Sequence, residues 1–344
     1  MQDGINPFTE RGRITDPHKF TGRWGELSLL FERLEGRRPV LITGSPGIGK
    51  SSLLTHVSQS ASATLELPDL QSFYLNLQVA TNATEVYGVV VQALRQKGDT
   101  PAGLDVALIT AGLPVLLCLD DAQTALAAGW GTELLEELAR ISRRNPLFVV
   151  VAMNGTPPAL SERFATIGLG AFAMPEVRLF AEAYLDDTGV VFTSGELHSI
   201  AEVSQAHPAY LQRAAFHLFQ SKLQPELNWR AAYLAEAREK PIPGAPLPPE
   251  VFEGKAGNRV ESSRYADGDV ESAQDGPVML PLPEVDSSLV GVLLVLIGVL
   301  LFIVTNSTLI LLVVAGIGVG LFVFLRQRRL LRNRRLTITT KEEH

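Results

Sequence analysis

The sequence predicts an α/β fold built on a parallel sheet, continued by a helical segment and then by membrane-type apolar stretches. Three observations predict it. Short apolar runs alternate with helical patterns over residues 39–174, the pattern is helical only from Pro175, and residues 289–325 carry no charge. Strands buried on both faces read as unbroken apolar runs, and their alternation with helices implies crossover connections and parallel pairing.

Taken in order, residues 1–38 form an approach segment with an amphipathic helix over 25–35. Pro39–Thr43 reads as a strand and Ser51–Ser60 as a helix. Phe73–Leu77 is a second strand, followed by a helix over Thr84–Gln96. Val115–Leu119 and Leu147–Met153 are continuous apolar strands. Between them lies a helix over Thr132–Arg143, whose Leu134, Leu135, Leu138 and Ile141 share one face. A fifth short strand is expected near Gly170–Met174. Helices over Glu176–Leu185, Ser194–Gln205, Ala209–Ser221 and Leu227–Glu239 make a small lid across residues 175–240. Residues 241–286 hold eight prolines, nine acidic and three basic residues. That composition predicts a flexible acidic linker, disordered for want of apolar periodicity.

The chain of 344 residues is 46% hydrophobic and 19% charged, enough to bury a sizeable core. Its net charge of −7 is unevenly spread. Residues 326–344 carry seven Lys/Arg against two acidic residues, whereas residues 1–286 carry 23 basic against 35 acidic. An acidic body does not support a broad nucleic-acid surface, and nucleic acid is not an expected partner. The single cysteine, Cys118, sits in an apolar run and fits a reducing compartment. It reads as a small core residue. The start, Met1-Gln2-Asp3-Gly4, lacks a basic and apolar leader, so no secretory signal is expected. His56, His198 and His217 fall on helices without ligand spacing, and no H-E-x-x-H, C-x-x-C or G-x-S-x-G is present.

Gly44-Ser45-Pro46-Gly47-Ile48-Gly49-Lys50-Ser51 fits G-x-x-x-x-G-K-[ST] between a strand and a helix. The glycines turn backbone N–H groups inward around phosphates, and the helix N-terminus adds positive potential there. This loop, with Ser52 behind it, is expected to cradle a nucleotide. Lys50 reaches the β- and γ-phosphates, and the Ser51 hydroxyl ligates Mg²⁺. Leu116–Leu119 ends in Asp120 and Asp121. Asp120 is expected to hold Mg²⁺, mostly through water. Asp121 would orient or deprotonate the attacking water. Two Asp after a strand otherwise read as a helix cap or a solvated turn; the phosphate loop upstream favours the metal assignment. No N-K-x-D accompanies them, so ATP with Mg²⁺ is the expected pair and ATP hydrolysis the expected chemistry.

Phe20-Thr21-Gly22-Arg23-Trp24-Gly25-Glu26-Leu27 resembles the F-x-G-R-x-x-E-L box of AAA+ (ORC-like) and STAND ATPases. The Asp-Asp strand end resembles the form usual in STAND proteins, and Ala206-His207-Pro208 resembles their G-x-P box, with alanine in place of glycine. The resemblance spans about residues 5–225 and implies a P-loop NTPase, a three-layer parallel sheet with a helical lid. It further implies that Gly22, Arg23 and Pro208 lie near the nucleotide. Asn154 would be a sensor of the γ-phosphate, or a turn-forming Asn before Gly155. Arg163 would be an arginine finger for a neighbouring subunit, or an ordinary surface arginine; Arg213 is a weaker lid candidate. The alanine puts tight lid contact in doubt, and the winged helix usual in STAND proteins has no counterpart.

Leu289–Thr305 and Thr308–Leu325 are apolar stretches of 17 and 18 residues. At ~1.5 Å per residue each spans about 26 Å, close to a hydrocarbon core, whereas one helix over all of 289–325 would be far too long. Residues 287–325 therefore read as a two-helix transmembrane hairpin with Asn306 and Ser307 at its tip. The arginines after Leu325 place the basic tail, 326–344, on the cytoplasmic face of the inner membrane, together with the ATPase part. Gly316-x-x-x-Gly320 suits close helix approach and a homo-oligomer. The expected protein is a membrane-anchored ATPase switch that assembles or recruits a protein partner. The alternatives are a membrane-disrupting effector gated by nucleotide-driven oligomerisation and a non-hydrolysing scaffold.

Overall fold

The computed structural model describes residues 5–155, 160, 162–249 and 251. The expected hairpin, the basic tail and most of the acidic linker lie outside the described residues. Among the described residues no helix is long and apolar enough to cross a membrane.

Five parallel strands form one sheet of order β2-β3-β4-β1-β5: β1 Val40–Thr43, β2 Gln71–Asn76, β3 Val115–Asp120, β4 Leu147–Met153 and β5 Ala165–Gly168. Val115–Leu119 pair with Leu147–Val151, and Val40–Thr43 with Val150–Met153. Period-two alternation divides the buried strand residues between two layers. Leu117, Leu119, Val149 and Val151 face a layer containing α3 (Ala83–Ala93), α4 (Pro101–Ala111), α5 (Ala122–Ala127) and α6 (Gly131–Ser142). Leu116, Cys118, Val150 and Ala152 face α1 (Trp24–Glu35) and α2 (Lys50–Thr64). Every residue of β3 and β4 is buried, which explains their unbroken apolar run.

The fifth strand differs from the sequence expectation. It is Ala165–Gly168, paired to β1, and not Gly170–Met174. Only Ile167 of its four residues is buried, so this edge strand carries almost no apolar signal. Phe172 belongs instead to an extended connection, its N–H donating to the Ala206 carbonyl at 3.0 Å. Helices α4 and α5 are not among those the sequence pattern predicts. Yet α4 carries a plain start signal: Thr100 caps it through the Gly103 N–H at 3.1 Å and Pro101 opens its first turn.

Four further helices, α7 (Met174–Leu185), α8 (Ser194–Ser204), α9 (Pro208–Leu223) and α10 (Trp229–Glu239), pack round a core of their own. Thr193 and Glu196 make a reciprocal cap at the start of α8, and Asn228 caps α10 through the Ala231 N–H at 3.1 Å. That core also draws on distant segments. Phe8 is fully buried within it, and Asn6 donates to the Phe216 carbonyl at 2.9 Å. At the other end, residues 241–251 differ from the expected free linker. Ile242, Ala245 and Leu247 pack on the helices, Val251 is buried, and the Ile242 N–H donates to the Tyr210 hydroxyl at 3.2 Å. Arg213 donates to the Lys240 carbonyl and Arg238 to that of Val251, so both flanks of this strap are tied down. The apolar side chains among its prolines have buried partners to meet, which composition alone does not show.

Candidate functional site

A parallel sheet gathers the carboxyl ends of its strands on one edge, where ligands bind in such folds. Here β1 runs into the loop Gly44–Gly49, β3 ends at Asp120 and β4 leads to Asn154. A cleft of about 420 Å³ opens there, within the range of small-ligand sites. Its walls include the loop from Pro46 to Ser52, Asp121, Asn154, Arg23 and Pro208. The structure therefore brings together most of the residues that the sequence singles out. Arg163 stands apart from it: exposed, it pairs with Glu136 at 3.4 Å.

The loop takes its shape from positive φ angles, +77° at Gly47 and +102° at Gly49. A Cβ on Gly47 would lie 3.1 Å from both Ala209 Cβ and His207 Cε1. Lid and loop are thus in contact. Gly47→Ala is expected to cost about 1–3 kcal/mol and lower the melting temperature by roughly 2–12 °C, read by calorimetry. The turn that delivers His207 and Pro208 forms despite the missing glycine. Gln205 and Ala206 both adopt left-handed φ, +51° and +50°, and the Ala206 N–H donates to the Ala201 carbonyl at 2.7 Å. His207 Nε2 sits 3.4 Å from Ser45 Oγ, and burial lowers the His207 pKa, which favours the neutral ring.

Lys50 donates to the carbonyls of Gly44 and Ser45, both at 2.9 Å. Burial lowers its pKa, opposed by the charges of Asp120 and Asp121. Asp120 is 2% exposed; its Oδ1 accepts the Asp121 N–H at 3.0 Å and its Oδ2 accepts the Tyr74 hydroxyl. Burial, then Asp120, raise the Tyr74 pKa, so the phenol remains the donor. Asp121 is left-handed at φ +55°, a conformation Asp tolerates. Asn76 donates to its Oδ2 at 3.1 Å and Gln123 to its Oδ1 at 3.0 Å. Gln123 also accepts the Asn154 N–H at 3.1 Å, tying β4 to the same pair.

Arg23 and Gly22 also tie the phosphate loop to the lid. The Arg23 guanidinium donates to the carbonyls of Ile48 at 3.1 Å and Gly170 at 2.7 Å, and lies 4.7 Å over the Phe172 ring. Its own N–H donates to Glu176 Oε1 at 2.7 Å. A Cβ on Gly22 would come within 2.9 Å of that same oxygen. The box therefore locks the loop to the lid. Ser52 Oγ likewise accepts the Ile14 N–H at 3.0 Å, which brings the N-terminal segment into the cleft wall. Arg13 in that segment lies 4.3 Å over the Tyr74 ring.

Tyr74, Asn76 and Gln123 escaped the sequence reading. Parallel pairing places Asn76 beside Asp120, so polar residues at the end of β2 were the available signal. His217 pairs with Glu236 at 2.7 Å and His56 stacks on Phe20 at 4.3 Å, both structural roles. Burial raises the Cys118 pKa, which removes it as a nucleophile.

The donor set fits a nucleotide and its metal. A loop with positive φ at Gly47 and Gly49, a buried lysine, the Ser51 hydroxyl and a carboxylate at a strand tip are groups that suit phosphate and Mg²⁺. Sheet order, phosphate loop and paired carboxylates are those of the P-loop NTPase fold. Residues 33–164 match the family described as AAA domain. No curated protein matches the chain. Among solved structures, it is similar to the Walker-type ATPase PABY2304 of Pyrococcus abyssi, at 14% identity and a TM-score of 0.52, over 68% of this chain and 76% of that one. It is more loosely similar to ORC1 of Aeropyrum pernix, solved in complex with DNA, at 16% identity and a TM-score of 0.49, over 64% and 67%. The Holliday junction branch migration motor RuvB of Thermotoga maritima gives 15% and 0.44, over 66% and 73%. At these identities the likeness is one of fold.

Proposed function

We propose that the chain is a Mg²⁺-dependent ATPase of the STAND type, acting as a nucleotide-controlled switch that assembles with itself or a protein partner at the cytoplasmic face of the inner membrane. The observation that carries it is the shared cleft, in which the phosphate loop from Pro46 to Ser52, Asp121 and Pro208 of the lid meet. Loop amides and Lys50 would hold the phosphates, with Ser51 and Asp120 on the metal. Mg²⁺, when bound, would neutralise phosphate charge. Asp121, held through both oxygens, would orient the attacking water, with Asn154 beside it. Pro208 closes the cleft from the lid side, so filling or emptying the cleft changes what the lid exposes. Arg163 would serve a neighbouring copy as an arginine finger. The expectation against nucleic acid rests on net charge alone.

Anchoring rests on residues 287–325, as two spans, 289–305 and 308–325. The Gly316/Gly320 spacing favours a second reading, in which nucleotide-driven oligomers gather many hairpins and breach the bilayer. Growth arrest on expression, lost when 287–325 are deleted, would select it.

The test is ATP binding by calorimetry on chain ending at or beyond residue 251, so that the strap is kept. Lys50→Ala removes a charged donor worth about 1.5–3 kcal/mol, and affinity should fall about 10- to 150-fold. Unchanged affinity in the variant would sink the proposal.

A further inference from the structure

We propose that Tyr74 is a positioning residue for Asp120, fixing the carboxylate that receives the metal and so setting the Mg²⁺ requirement of nucleotide binding. This rests on the Mg²⁺–ATP assignment above and goes beyond it to a residue on a neighbouring strand.

Asp120 has two oxygens, and the chain holds each one separately. Oδ1 is fixed by the Asp121 N–H at 3.0 Å, which any residue at 121 except proline could supply. Oδ2 is fixed by the Tyr74 hydroxyl, which only this side chain supplies. Each carboxylate oxygen has two acceptor positions, so each has one beyond the bond it makes here. The tyrosine itself is held in turn. Its strand is registered to β3, with Tyr74 beside Cys118, and Arg13 covers its ring at 4.3 Å from the cleft side. Arg13 is placed by its neighbour Ile14, whose N–H donates to Ser52 of the phosphate helix. A chain of contacts thus runs from the phosphate helix through Arg13 and Tyr74 to the metal carboxylate. Removing a partner that orients a metal ligand typically costs about 10- to 100-fold in metal affinity.

The experiment uses the full chain and a fluorescent ATP analogue, titrated with MgCl2 and also measured in EDTA. Tyr74→Phe keeps the ring and removes one hydroxyl. Its Mg²⁺ half-point should rise about 10-fold or more, with affinity in EDTA unchanged. A purely structural role would not separate these two readouts. Asp120→Asn is the reference and should raise the half-point at least as far; Tyr74→Phe added to it should have no further effect. If Tyr74→Phe leaves the half-point unchanged while Asp120→Asn moves it, the tyrosine does not position the carboxylate. If Asp120→Asn is also silent, the metal assignment fails, and the proposal falls with it.

Discussion

Asp121→Ala is expected to cut ATP turnover on the order of 10²- to 10⁴-fold, the contribution typical of a positioned general base, while ATP still binds. The expectation follows from how the carboxylate is held. Asn76 and Gln123 fix its two oxygens at 3.1 and 3.0 Å, and the residue itself lines the cleft. Turning a water by a fixed carboxylate contributes only if that carboxylate does not swing. Alanine at φ +55° adds some backbone strain, so Asp121→Asn is the companion variant: it keeps the shape and removes the charge. Both should bind ATP like wild type in calorimetry and fail in phosphate release. Turnover that persists in Asp121→Asn would remove Asp121 from the chemistry. Binding without turnover in the wild type would favour the scaffold, held by nucleotide and never reset.

The second large effect is on stability. Phe8→Ala should destabilise the protein by about 3–5 kcal/mol and lower its melting temperature by roughly 6–20 °C. Phe8 is fully buried, and its ring centroid lies 5.1 Å from Tyr184, 5.6 Å from Phe180 and 5.8 Å from Phe192. A phenyl ring removed here leaves a cavity walled by other rings, which cannot collapse into it without losing their own contacts. Phe8→Leu should recover most of the loss, since leucine refills much of the volume. Equal melting of Phe8→Ala and wild type would show that the segment does not belong to the lid core.

Legibility in the sequence tracks how local each cause is. The phosphate loop is contiguous, and β3 and β4 are buried on both faces, so motif and apolar run sufficed. The strand β5 exposes most of its short length and lies a few residues before the expected one. Phe8 and the 241–251 strap have their partners far away along the chain. Asn6, for instance, meets Phe216 across 210 positions, and no periodicity encodes that. The cleft was legible in its phosphate half. Its supporting half, Tyr74, Asn76, Gln123 and Arg13, depends on strand register and on a segment folding back. The box at Gly22–Arg23 is contiguous and legible, but its tie to Glu176 spans 153 positions of the chain.

Sequence similarity to the AAA domain begins at residue 33, but the foldable piece does not. A fragment cut at that border would lose Phe8 from the lid and Arg23 from the Ile48 carbonyl in one stroke. One cut after α10 would strip Ile242 from the loop and Val251 from the lid. The chain lines its own cleft from both sides of the matched region, so any expressed piece should keep Asn6 and Val251, well outside what resemblance alone would mark.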